Sequence, residues 1–123
     1  MINIECSCVF SGKNFNPNSL DFIIGENNFV RKDFVGEVAT RGRNKGLVKP
    51  EGSLYLSSSF EKIILILEGV GDWGEYGIED VNVCLLVKHD GQCNFELDPK
   101  LISRFAKICI PLGITCYEVD KLD

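Results

Sequence analysis

Gly69-Val70-Gly71-Asp72-Trp73-Gly74 spells G-x-G-x-x-G, a spacing in which backbone amides can cradle a pyrophosphate. That chemistry needs a helix to begin at the glycines, so that its first amides and its dipole meet the phosphates. Here Gly74 and Gly77 would interrupt any such helix, Asp72 and Glu75 would repel phosphate, and a strand is expected from Val81. The helix has no room, and the motif reads as a Gly-rich loop. His89, the only histidine, stands beside an Asp90-Gly91 turn, without the desolvated pocket and oriented partner that acid–base catalysis requires. Ser57-Ser58-Ser59 has no neighbouring base and is explained by helix capping. The six cysteines, at 6, 8, 84, 93, 109 and 116, include no Cys-x-x-Cys, and one histidine completes no zinc set. They sit mostly on the apolar side of their segments and read as free thiols used as small core hydrophobes. No catalytic residue, cofactor or metal is expected.

Two charged segments carry the binding possibilities. From Glu68 to Asp80 there are five acids and no Lys or Arg, which equals the whole excess of 18 acids over 13 bases. Set among them are Trp73, the only tryptophan, and Tyr76. Asp72, Trp73, Glu75, Tyr76, Glu79 and Asp80 together have the composition of a protein-binding surface, with rings to supply buried area and acids to steer a basic partner. The competing possibility is a solvated loop whose Trp tucks into its own core. The second segment, 39–50, holds Arg41, Arg43, Lys45 and Lys49 without an acid, and residues 31–49 sum to +4. Arg41, Arg43 and Lys45 form an alternative ligand site for a phosphate or an acidic partner, or else an exposed, mobile loop. The net charge of −5 speaks against direct binding of nucleic acid or an anionic membrane, both of which reward clustered cations.

These residues must be positioned by a small fold. A chain of 123 residues suits a single domain, one that buries roughly 65% of its unfolded surface. With no basic, apolar leader and no run of about 18 apolar residues, the expected location is the cytoplasm. Residues 2–10 alternate as a half-buried strand, and Asn16-Pro17 starts a short helix stopped by Gly25. Phe29 to Val38 suggests a broken strand and Leu54-Tyr55-Leu56 another. Phe60 to Leu67 has a helical stripe behind a Ser58-x-x-Glu61 capping box, with a buried strand as competitor. Val81 to Lys88 reads as a central strand that turns at Asp90-Gly91 into a hairpin partner, 92–97. Asp98-Pro99 opens a helix with Leu101, Ile102, Phe105, Ile108 and Cys109 on one face, and Ile114 to Val119 closes as a strand. The repeated cap-plus-Pro start suggests two βαβ halves. The fold expected is α+β, a mixed, mostly antiparallel sheet of about five strands with two to three helices, as a ferredoxin-like variant.

Phe15-Asn16-Pro17, the turn-rich Gly46 to Ser59 region and the closing Leu101-x-x-x-Phe105-Ala106-x-x-x-x-Pro111-Leu112-Gly113-Ile114 run carry a resemblance. Over nearly its whole length the chain resembles the bacterial domain-of-unknown-function family 4279. The resemblance implies a small cytosolic α+β protein with no established catalytic residues. Similar small acidic proteins serve as immunity partners of bacterial toxins, as in contact-dependent growth inhibition. The function expected is therefore a non-enzymatic immunity protein that covers the active surface of a basic toxin domain, for example a nuclease. The alternative is a small-molecule-binding module or enzyme that uses a pocket between the sheet and the basic loop 41–49.

Overall fold

Cys6, Cys8 and Phe10 lie on one side of β1 (Ile2–Gly12) and are fully buried, because a strand sends successive side chains to opposite faces. In a computed structural model that describes residues 1–120, this strand is the middle of a five-stranded sheet of order β2-β3-β1-β4-β5. The other strands are β2 (Arg31–Asp33), β3 (Gly52–Ser58), β4 (Asp80–His89) and β5 (Leu112–Glu118). β1 is antiparallel to β3 and to β4, β2 is antiparallel to β3, and β5 runs parallel to β4. The register places Leu54 and Leu56 of β3, and Val83, Leu85 and Val87 of β4, on the face of Cys8 and Phe10. This is the mixed, mostly antiparallel α+β architecture read from the sequence.

Among the described residues three α-helices join the sheet: α1 (Asp21–Ile24), α2 (Phe60–Val70) and α3 (Pro99–Ala106). Ile63, Ile64, Ile66, Leu67 and Val70 of α2 are buried, and with Leu20, Ile24 and Phe105 they share one core with the sheet's inner face. The opposite face, with Ser7, Val9, Ser11, Tyr55 and Asn82, carries no described helix. β3 and β4 run parallel to each other with β1 between them, so β3–α2–β4 is a split βαβ unit of the ferredoxin-like kind. β4–α3–β5 is a second βαβ unit with adjacent parallel strands. Both Asx-Pro starts are realised: the carboxamide oxygen of Asn16 accepts from the Asn18 amide at 3.0 Å, and Asp98 does the same for Lys100 at 2.8 Å. The first of them opens a 3-10 turn, Pro17–Leu20, that leads into α1.

Several boundaries differ from the expectation. The cap of α2 is Ser59, whose Oγ accepts from the Lys62 amide at 3.2 Å. Ser58 is still paired with Cys6 in β3, so the Ser58–Glu61 box does not form and Glu61 serves only as an acid in the first turn. The hairpin at Asp90-Gly91 does not form either. β4 is paired on both edges as far as His89, with Ile2 on one side and Glu118 on the other, and the Val119 amide donates to the His89 carbonyl at 2.8 Å. Residues 92–97 therefore find no free edge of β4 to pair with. Cys93, Phe95 and Leu97 still alternate half-buried with the exposed Gln92, Asn94 and Glu96, as an extended segment outside the sheet. Between Phe29 and Val38 only Arg31–Asp33 is strand, and α3 ends at Ala106, leaving Ile108 and an exposed, positive-φ Cys109 beyond it. Among the described residues, no helix is long and apolar enough to cross a membrane.

Candidate functional site

Both charged segments emerge at one end of the sheet, where Gly12 ends β1, Gly52 begins β3 and Asp80 begins β4. The acidic one starts where α2 stops at Gly71, with φ 71°. Asp72 then accepts from the Gly74 amide at 2.9 Å and opens a 3-10 turn, Trp73–Tyr76, that Gly77 closes in the left-handed region. The Trp73 ring is half-buried, tilted 6.1 Å from the Phe10 ring, so most of it belongs to the core. Glu79 Oε1 accepts from the Lys13 amide at 2.7 Å, and its own amide donates to the Ser11 carbonyl. All four acids are exposed, but Asp72 and Glu79 hold the backbone, and Asp80, opposite Ser11 at the start of β4, lies on the helix-free face, away from the rest of the predicted set.

Tyr76 finds a partner that the sequence did not single out. Its ring stacks on Phe22 of α1 at 6.1 Å and 26°, and Phe22 is 67% exposed. Phe22 falls off the apolar stripe of Leu20, Ile23 and Ile24, and a large ring on the solvent side of a short helix is the signal that could have marked it. Phe22, Tyr76 and the edge of Trp73, with Glu75 on the same turn as the two loop rings, make an aromatic and acidic surface on the helical side.

The basic segment is an ordered ribbon. The Gly36 amide donates to the Lys49 carbonyl at 3.0 Å, Lys49 to Glu37 at 2.7 Å, Ala39 to Leu47 at 2.9 Å and Gly46 to Ala39 at 2.8 Å, around a bridge between Val38 and Val48. It stands beside the helix-free face of the sheet and encloses a groove of about 1000 Å³. The sheet contributes Arg31, Asp33, Ser53 and Tyr55; the ribbon and the residues after it contribute Arg41, Arg43, Lys49 and Glu51. The Asp33 carboxylate accepts from Arg31 Nε at 3.2 Å and Lys49 Nζ at 2.7 Å, and the Arg31 guanidinium lies 4.0 Å from the centre of the Tyr55 ring. The Arg41 and Arg43 guanidiniums have no ion-pair partner among the described residues. Lys45, grouped with them in the sequence, lies outside the groove wall.

Elsewhere the reactive groups are quiet. Burial, and after it the neighbouring Cys84, pushes the Cys6 thiol up to about 12, and burial raises Cys8 further. Burial and then Cys116 raise Cys93. His89 Nδ1 lies 2.9 Å from the Gly91 carbonyl, a local turn contact. Hydrogen bonds of 2.6 and 3.1 Å from Arg104 hold the Glu68 carboxyl below the usual range, and this fork ties α3 to α2. Among the described residues, no group of three or more His, Cys, Asp or Glu could hold a metal. Comparison of the chain with protein-family models, with curated proteins and with solved structures finds no match. The resemblance to family 4279 therefore rests on the quoted residues alone.

Proposed function

We propose that this chain is a non-enzymatic binding protein that acts in the cytoplasm and recognises a basic protein partner through its aromatic and acidic surface. The observation that carries the proposal is Phe22, which is 67% exposed and stacked on Tyr76 beside the acidic turn. Rigid aromatic anchors at a patch centre supply most of the energy of protein recognition, and surrounding charge governs encounter rate and partner choice. Glu75 is the acid of this surface free to steer, because Asp72 and Glu79 are engaged in local backbone contacts and Asp80, opposite Ser11 at the start of β4, lies on the helix-free face. Following the resemblance, the partner is a bacterial toxin domain whose basic surface serves its own substrate, and the chain neutralises it by covering that surface.

The test is capture of the partner from host lysate by the tagged protein, followed by binding kinetics on the purified pair. Phe22→Ala is expected to weaken the complex by at least about tenfold, mainly through faster dissociation. Glu75→Lys should slow association and flatten its salt dependence while leaving the fold unchanged, and Asp80→Lys, on the helix-free face, should do less. A complex indifferent to all three substitutions would remove this surface from consideration.

A further inference from the structure

We propose that the groove between the helix-free sheet face and the basic ribbon binds a small organic anion, one or two oxyanion groups carried on an apolar body. The groove holds about 1000 Å³, at the upper end of what small ligands occupy. Its charges divide into a settled set and an unsettled one. Arg31 and Lys49 share Asp33, and Arg31 also rests against Tyr55, so that corner is internally satisfied. Arg41 and Arg43 bring two guanidinium forks to the same groove with no ion-pair partner among the described residues, and Glu51 is the remaining acid of the wall. A guanidinium stays charged at every accessible pH and pairs bidentately with carboxylate or phosphate.

The rest of the lining narrows the ligand. Leu47 and Val48 are 60% and 61% exposed and stand in the groove wall with Ala39, Pro50 and Tyr55, giving an apolar body something to cover. Asp33 and Glu51 in the wall, and the chain's net charge of −5, oppose a polyphosphate or nucleic acid. The site is independent of the Phe22–Tyr76 surface, so either can fail without the other.

The experiment is an amide-resolved NMR titration of the intact chain with three probes: phenyl phosphate, benzoate and inorganic phosphate. At least one aromatic probe is expected to saturate with a Kd of about 1 mM or tighter, with shifts confined to residues 31–55. The stronger of the two identifies the anion as phosphate or carboxylate. Arg41→Gln with Arg43→Gln should weaken binding by at least about tenfold, and Lys45→Gln by less than about twofold. Because neither arginine is tied to the sheet by an ion pair, β1 resonances should stay in place; Arg43→Lys, which keeps charge but loses the fork, should fall between. The proposal is overturned if both aromatic probes leave 31–55 unmoved at about 20 mM. It is equally overturned if Lys45→Gln costs as much as the double substitution, or if inorganic phosphate binds as tightly as phenyl phosphate.

Discussion

At the scale of single residues, position in the pleat decides chemistry. Cys6 and Cys8 have no exposed surface, whereas Cys109 and Cys116 are exposed. Since the thiolate is the nucleophile, a short iodoacetamide pulse on the native protein at about pH 8 should label Cys109 and Cys116 and spare the buried pair. Labelling of Cys6 at the rate of Cys116 would mean that the centre of β1 opens easily. The same burial predicts a pH dependence. Below the ordinary value of 9.0 both folded and unfolded Cys6 keep the proton; above it the unfolded chain releases a proton that the folded one retains to about 12. The contribution is whole below 9.0 and shrinks as pH rises through that window. Denaturant midpoints should therefore fall between about pH 8 and about pH 10, and fall less steeply in Cys6→Ala. The buried pair was legible in the sequence because alternation with Ser7 and Val9 is a local pattern. Phe22 was legible only as a ring off the apolar stripe; its partnership with Tyr76 was not, because only the packing of α1 against the end of α2 brings the two near.

At the scale of elements, the functional end of the sheet is held by backbone touching backbone. A Cβ on Gly12 would enter the van der Waals shell of the Gly77 carbonyl oxygen, and one on Gly52 that of the Phe15 oxygen. Neither clash can be relieved by turning a side chain. Gly12→Ala and Gly52→Ala are each expected to destabilise by about 2–4 kcal/mol, seen as a melting temperature lower by about 10 °C or more. Gly91→Ala, with open space around it, should stay within about 0.5 kcal/mol of the parent. Equal melting of the Gly12 and Gly91 variants would show that the junction tolerates a Cβ and is not set by this close approach. Elements with their own periodicity and caps, such as β1, α2 and the Asx-Pro starts, could be read from the chain. The failures at Ser58 and at Asp90-Gly91 share one cause. Each local signal was sound, but distant strands had already claimed the backbone: β1 claimed Ser58, and β1 with β5 claimed β4 up to His89. The groove was half legible, because the basic run is contiguous, whereas Arg31 and Tyr55 join it only through the β2–β3 pairing.

At the scale of the whole molecule, order should be graded outward from β1. That strand is hydrogen-bonded on both sides for much of its length, and β4 is flanked in the same way by β1 and β5. The ribbon 36–49, by contrast, is exposed along most of its length and is joined to the sheet through the three-residue β2 and the start of β3. Binding segments are commonly drawn from the least stable parts of a fold, because they must adapt to what they hold. Native-state hydrogen exchange should accordingly find the slowest amides in β1 and β4, opening only with global unfolding, and much faster ones at Gly36, Ala39, Gly46 and Lys49. A saturating aromatic anion should slow the ribbon amides and those of β1 alike, since the ligand is lost both when the ribbon opens locally and when the whole chain unfolds, and its binding free energy adds to each opening. Ribbon amides as slow as those of β1 without ligand would mean that the groove is a rigid extension of the core. Arg41 and Arg43 would then be preorganised, and affinity in the titration should exceed what an adaptable ribbon provides.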